Sequence, residues 1–358
     1  MLKIEQQRLF DTIKSHQIDL TGYTVLTEAA SGAYLYTSLL CTLAGAKKVI
    51  AVTKNSHYGQ AKDIIRDTLN AAKALKVDKR IEVLSDKKKI DYCNIDIVTN
   101  SGFVRPIDAN VISQLPAHAV IPLMWETWEF RGDEVDLCAA KKNGILVLGT
   151  NETHSTINMQ PYVDMLLLKM LFELELSGFK SKIILIASDN FGKYLACSCR
   201  KFNIDFAWFG NDTIGAKKLE SMHEFCSKEL DKYEALIVGE MKEDKCLIGE
   251  NDSFLTTNIL LKTNPNIKVG VIAGNVDAKA LRKQKIVCIP KKIAPPKYVS
   301  YQIYQLGMLP VIELYAAGLK VGQEMAFARK QGWSIKKSVK HAMANSAAMD
   351  FQGELSWI

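Results

Sequence analysis

The first 150 residues keep one rhythm, a short β-branched apolar run followed by a stretch with apolar positions at helical spacing. The runs YTVLTEA, KKVIAVT, RIEVLS, IDIVTN, AVIPLM and ILVLGT predict strands. Residues 3–16, AYLYTSLLCTLAGA and YGQAKDIIRDTLNAAKALK predict helices. A long helix is expected from about Asn158 to Ser177. The rhythm then restarts from Lys182 to Pro290, with KIILIAS, IDFAWFG, ALIVGE, KVGVIAG and IVCIP as strands and FGKYLACSCRKF as a helix. After the Pro-rich connection PKKIAPPKYVS, the runs LPVIELYAAGLKVGQEMAFARKQG and SIKKSVKHAMANSAAMDF read as helices. Strands that are apolar throughout are buried on both faces, as in a parallel sheet covered by helices. The expected fold class is α/β, with two Rossmann-like or flavodoxin-like domains and mainly parallel sheets. At 358 residues the chain is too long for one ordinary core and right for two.

Composition narrows the class. Apolar residues make up 48% and charged residues 24%, a globular balance. No run approaches the ~20 apolar residues that span a bilayer, so no membrane partner is expected. The charged, amphipathic start MLKIEQQRLFDTIK has no secretory pattern, and the eight scattered cysteines read as reduced thiols, so a cytoplasmic location is expected. Cys197 and Cys199 form a C-x-C on a helix, where they point to different faces, and no metal site is expected there. The net charge of +7 includes basic runs at Lys87–Lys89 and Lys336–Lys340. These lack interleaved aromatics, so they read as solvated surface and not as a nucleic-acid site. A mildly positive surface also suits a small anionic substrate.

Candidate chemistry sits where strands end. In TVLTEAASGAYLYTSLL the Ser31-Gly32 turn falls between strand and helix, the place where a mononucleotide-binding βαβ unit receives an anion. The other strand ends carry Glu28, Thr53-Lys54, Ser56, Asn100 with Arg105, Glu126 with Arg131, and Asn151-Glu152. Ser31, Ser56 and Asn151 are also good helix caps. Caps alone do not call for Arg and Glu in the same set. In MWETWEFRGDEVD the acids Glu126 and Glu129 are close enough to pair with Arg131. That arrangement reads either as a carboxylate or phosphate clamp or as a structural ion pair. Trp125 and Trp128 read as packing.

The run VIPLMWETWEFRGDEVDLCAAKKNGILVLGTNETH resembles the D-isomer-specific 2-hydroxyacid dehydrogenases. The matching residues are Arg131, Gly132, Val135-Asp136-Leu137, Ala139-Ala140, Gly144-Ile145 and Val147. The resemblance extends in order and spacing over roughly residues 115–295. It implies a first domain of 1–158 plus 296–358 and an inserted Rossmann-like domain of 159–295. It also implies NAD or NADP as cofactor and a homodimer. Small residues four apart, Gly318 and Gly322, also permit close helix contact, either in a dimer or within the first domain.

The departures from that family are specific. Its G-x-G-x-x-G fingerprint is here Ala187, Asp189 and Gly192, so only the third glycine survives. Its catalytic Arg falls in LIGENDSFL, which offers Glu250, Asn251 and Asp252. Its catalytic Glu falls near Asn275 and Asp277. Its acid–base His is replaced by Lys291, and none of the histidines at 16, 57, 118, 154, 223 and 341 takes that place. A dinucleotide is therefore expected in the first domain, around Glu28, Ser31, Gly32, Thr53, Lys54 and Ser56, with Lys54 placed to meet the 2′-phosphate of NADP.

The leading functional reading is an oxidoreductase of a small carboxylated or phosphorylated metabolite held in an interdomain cleft. Arg105 and Arg131 would hold the anion, with Asn100, Asn151, Glu152, Asn275 and Asp277 around it. Glu126 would orient Arg131, and Lys291 or His154 would move a proton. The alternatives are a non-redox lyase or transferase on the same scaffold, and an inactive ligand-binding or scaffold protein.

Overall fold

The computed structural model describes residues 2–250, 252–296 and 298–358; the candidate Asn251 lies outside the described residues. The chain divides into two units, Met1–Asn158 with Gly307–Ile358, and Met159–Leu306. The first stretch runs α1 (Lys3–Ser15), β1 (Thr24–Glu28), α2 (Leu35–Leu43), β2 (Lys48–Val52), α3 (Ala61–Ala74), β3 (Ile81–Leu84), β4 (Ile97–Val98), α4 (Ala109–Gln114), β5 (Val120–Pro122), α5 (Leu137–Asn143) and β6 (Leu146–Thr150). The second unit runs α6 (Gln160–Glu173), β7 (Lys182–Ile186), α7 (Asn190–Lys201), β8 (Asp205–Gly210), β9 (Lys217–Lys218), α8 (Met222–Glu229), β10 (Ala235–Gly239), β11 (Ile248–Gly249), β12 (Leu255–Thr256), α9 (Thr257–Thr263), β13 (Lys268–Ala273), α10 (Ala278–Lys283) and β14 (Cys288–Ile289). The chain then returns to the first unit as α11 (Leu309–Lys330), α12 (Ile335–Asn345) and β15 (Ala348–Met349).

Among the described residues, the first unit holds one sheet of order β15-β6-β5-β4-β1-β2-β3. All its pairs are parallel except β15 with β6. The second unit holds an all-parallel sheet of order β14-β13-β10-β7-β8-β9, and β11 pairs separately with β12. Each sheet has a core on both faces. Val25 and Leu26, adjacent in β1, are both buried and belong to different clusters, and the same holds for Ile183 and Ile184 in β7. The apolar strands thus follow directly from two-sided burial.

The run that carried the family resemblance is a helix with both ends fixed. Asp136 accepts the Ala139 amide (2.8 Å) at the start of α5, and Gly144 closes it in a left-handed conformation (φ 68°). The chain then feeds directly into the buried strand β6.

Three details refine the expected picture. The second helical stretch ends at Asn345, and Ala348–Met349 pairs antiparallel with β6, with Ala347 O accepting the Asn151 amide (2.7 Å). This covers the edge of β6 that would otherwise be open. The return to the first unit comes at Gly307 rather than 296, because Tyr301 is buried in the second unit's core and both Ser300 and Tyr301 donate to Ile272 O. Gly318 and Gly322 serve their own unit. A Cβ at Gly318 would lie 2.6 Å from Met124 Sδ, and one at Gly322 would lie 2.8 Å from Pro122 Cγ. These glycines let α11 sit down on β5 and offer no contact surface to a second copy.

In the second unit Asp164, fully buried on α6, accepts from Gln160, Ser198 and Lys201 and so ties α6 to α7. The start of α7 is packed just as closely against β8. A Cβ at Gly210 would lie 2.0 Å from Ala187 O, the oxygen that accepts from Trp208 Nε1 (2.9 Å). Gly210→Ala is expected to cost about 1–3 kcal/mol of stability. Gly132→Ala, with nothing within 4 Å of its Cβ, should change urea unfolding little. Equal midpoints for the two variants would contradict this packing.

Candidate functional site

In open parallel sheets, ligands bind beyond the carboxyl ends of the strands where the strand order reverses. In the first unit the chain proceeds outward as β1-β2-β3 and then reverses through β4 on the other side of β1. In the second unit the reversal lies between β7 and β10. Each unit therefore has one reversal point at which a ligand could sit.

At the first, Glu28 ends β1 and is buried. Its Oε2 accepts the Phe103 amide (3.2 Å), with the Gly102 amide and the Arg105 guanidinium close by. Burial raises its pKa above the ordinary carboxylate value, and the two amides and Arg105 only partly offset this. Arg105 lies over the Trp125 ring (5.0 Å) and pairs with Glu134, whose Oε1 also takes Arg131 Nη1 (3.2 Å). Glu134 thus bridges the two arginines. The bridge forms because Ile107 and Val135 pair side by side, with Ile107 N donating to Glu134 O (2.9 Å). Lys87 braces the loop by donating to Val104 O and Arg105 O (2.6 and 2.9 Å).

Asn100, at the end of β4, is fully buried. Its Oδ1 accepts the Met124 amide (2.8 Å), which fixes the side-chain orientation and leaves Nδ2 without a partner. Trp125 Nε1, one residue past Met124, is likewise buried and unpartnered. Beneath them Tyr315 from α11 bonds Thr27, Thr27 bonds Thr99, and Thr99 bonds Ser101. This hydroxyl chain stitches β1, β4 and α11 together under the strand ends. Sequence reasoning missed Thr27, Thr99, Ser101 and Tyr315.

The end of β5 and the chain after β6 carry acids. Glu126 accepts from Trp128 Nε1 and from the Glu152 amide (3.2 Å), so it holds the loop after β6. Burial of the Glu152 carboxyl beside Glu129 and Glu126 pushes its pKa well above the ordinary value. Asn151 Oδ1 accepts from the Thr153 amide and hydroxyl (3.0 and 2.7 Å), and His154 Nδ1 meets Thr156 (2.9 Å). Both are turn braces.

The second reversal point has the opposite polarity. Asp189 and Glu240 stand just past the paired ends of β7 and β10 and are both buried. Asp189 Oδ1 accepts the Phe191 and Gly192 amides (3.0 and 3.3 Å) at the start of α7. Glu240 Oε1 accepts the Lys242 and Glu243 amides (2.8 and 3.2 Å). Asp189 Oδ2 and Glu240 Oε2 have no hydrogen-bond partner. Burial, with Glu240 beside it, pushes the Asp189 pKa up to about 6. Two surface hollows of this unit lie elsewhere, one at Lys180, Arg200 and Phe206 and one at Met165, Leu168 and Phe172 on α6.

No protein-family model and no curated protein matches the sequence. Solved structures do. A dipicolinate synthase polypeptide from Bacillus subtilis is 11% identical, aligns over 88% of this chain and 99% of its own, and superposes with a TM-score of 0.54. Its counterpart in the dipicolinate synthase of Bacillus halodurans is 10% identical over 87% and 99%, with a TM-score of 0.53. The chain shares the fold of these two polypeptides. A 2-hydroxyacid dehydrogenase from Ketogulonicigenium vulgare aligns at 11% identity over 87% of this chain and 96% of its own, with a TM-score of 0.47.

Within that scaffold, the second unit does not fit a dinucleotide. The α7 amides that a pyrophosphate would use are held by Asp189, and two buried carboxyls would oppose its charge. Gly192 remains for packing, since a Cβ there would lie 2.9 Å from Ala187 Cβ. Asn275 Nδ2 donates to Asp244 O (2.8 Å) and Asp277 caps α10 through the Lys279 and Ala280 amides (2.9 and 3.0 Å), so both find the partners they need in backbone. Lys291 is exposed. In the first unit Gly32 is exposed (φ 62°) with nothing within 4 Å of a Cβ. Ser31 donates to Tyr58 O (3.0 Å), Ser56 accepts the Tyr58 amide (3.2 Å), Thr53 is buried, and Lys54 lies over the Phe103 ring (5.7 Å). The open backbone at Gly32 fits a phosphate-bearing group better than the occupied α7 amides of the second unit do.

Proposed function

We propose that this chain is an enzyme acting on a small carboxylated or phosphorylated metabolite, with the strand-end cluster of the first unit as its active site. The observation that carries this reading is the buried, unpartnered amide of Asn100, whose oxygen holds the Met124 amide next in the chain to Trp125, itself unpartnered at Nε1 and lying under Arg105. A buried donor without an acceptor costs about 1–3 kcal/mol, so a position that keeps one at a strand reversal is built to receive an acceptor. Arg105 and Arg131, held by Glu134, grip the anion, and Asn100 and Trp125 complete its hydrogen bonds. Glu28, whose pKa burial raises, delivers a proton to the substrate oxygen that gains charge. This replaces Lys291 and His154 as the acid–base group. Eight free cysteines suit a reducing, cytosolic setting.

The test is isosteric. Asn100→Asp keeps the acceptor that Met124 N needs and replaces the donor by a charge. Calorimetric titration with inorganic phosphate, malonate and glycerate should show binding to the native chain, weakened about tenfold or more in the variant. Equal affinity in both, or no binding of any of the three, rejects the site.

The oxidoreductase form of this reading places a nicotinamide dinucleotide, NAD or NADP, in the first unit at the Ser31-Gly32 turn. Such a group would supply the hydride, and Lys54 would favour the 2′-phosphate of NADP. NADPH fluorescence should then shift on binding, with Lys54→Ala weakening the interaction several-fold. No signal at millimolar nucleotide leaves the proton-transfer chemistry of a lyase or transferase.

A further inference from the structure

The two reversal points differ in what they leave unsatisfied. The first leaves donors, Asn100 Nδ2 and Trp125 Nε1. The second leaves acceptors, Asp189 Oδ2 and Glu240 Oε2. An ionised carboxylate can only accept, so whatever completes these oxygens must donate. Both residues are more than nine-tenths buried, at 5% and 1% exposure, where carboxylates persist when paired with a cation. Each is also held in place. One oxygen of each carboxyl is tied to two backbone amides, which aims the other.

We propose that the reversal point between β7 and β10 is a binding site for a cationic nitrogen, the primary ammonium group of a small ligand, gripped by Asp189 Oδ2 and Glu240 Oε2.

An ammonium group carries three donors on a compact charge and can serve both oxygens at once. A metal ion is the poorer occupant. Hard cations ask for six or more oxygen ligands, and no group of three or more His, Cys, Asp or Glu side chains that could hold a metal exists among the described residues. An anion is poorer still, because the α7 amides are already occupied by Asp189. The exposed Lys242 is the cation whose field already draws on Asp189, and the ligand competes with it. Both oxygens are covered by the surrounding chain, so the ligand reaches them only as that chain moves, and the turn after Glu240, held to its other oxygen by the Lys242 and Glu243 amides, moves with the carboxyl. The site belongs wholly to the second unit and does not depend on the function proposed for the first.

The experiment uses the full chain in thermal unfolding at matched ionic strength. The probes are the chlorides of ethylamine, ethanolamine and 1,4-diaminobutane, with tetramethylammonium chloride as the cation that has no N–H. Primary amines should raise the unfolding temperature above the tetramethylammonium value, and hydrogen exchange at 241–245 should slow. Asp189→Asn keeps the α7 cap, and Glu240→Gln keeps an acceptor for the turn amides. Each should weaken the amine response about tenfold or more, while Asn100→Asp leaves it intact. Equal shifts from amines and tetramethylammonium would overturn the proposal. So would amine responses that survive both variants, or a response to manganese in place of amines that the same two variants remove.

Discussion

Glu28→Gln is expected to lower turnover of the bound anion about 10²–10⁴-fold while making the fold more stable at neutral and alkaline pH. The two effects have opposite signs for one reason. Burial raises the Glu28 pKa, so the folded chain holds this proton more tightly than the unfolded chain does. Stability is therefore full below the ordinary carboxylate range and is lost as pH rises through the elevated folded value. Gln carries no such charge and keeps an oxygen for the Phe103 amide, so the variant gains over the native chain as pH rises and matches it in acid. The same proton is what the substrate needs. Native activity should fall as pH rises through the elevated pKa, and the variant should lose that limb. A Gln variant that is both active and less stable at pH 8 would remove Glu28 from the mechanism.

Much of this arrangement was legible from the apolar runs and the polar residues that come after them. The strands β1–β6 formed where the β-branched runs lie, because a two-sided parallel sheet writes itself as continuous apolar sequence. The strands β9, β11, β12 and β15 were missed, since two residues carry no periodicity. The rule that polar residues after strands mark a site found Glu28, Asn100, Arg105 and Arg131, which do gather in one unit. It did not single out Glu134 as a partner of Arg131. Glu134 stands three residues on in RGDEVD, and it reaches Arg105 only because Ile107 pairs with Val135, a long-range contact without a local signature. Glu240, directly after the apolar ALIVG, carried the same signal as Glu28 and was overlooked. Tyr315 carried none: inside a buried helix a tyrosine looks like any large apolar residue. Asn275 and Asp277 show the converse, since strong polar residues at a strand end turned out to be satisfied by backbone.

Asp189→Asn should stabilise the second unit by about 2 kcal/mol at pH 8 and by little at pH 4. The folded pKa of Asp189 is pushed up to about 6, from an ordinary value of 3.8. The folded state therefore binds more protons than the unfolded state between those values, and stability falls as pH rises across that window. At 1.36 kcal/mol per pKa unit, the ionised carboxyl costs about 3 kcal/mol above the window. Asn removes that cost. It also gives up the attraction between a carboxylate and the start of α7, worth about 0.3–1 kcal/mol, while capping the helix as well as Asp does. The difference leaves the expected gain. Glu240, the acid that faces Asp189, is relieved of a like charge in the variant, which acts in the same direction. Urea unfolding at pH 4, 6 and 8 reads the effect as a growing separation of midpoints with pH. A variant less stable than the native chain at pH 8 would mean that Asp189 is ionised and well paired where it stands, and that the second reversal point is not a strained pair of acids.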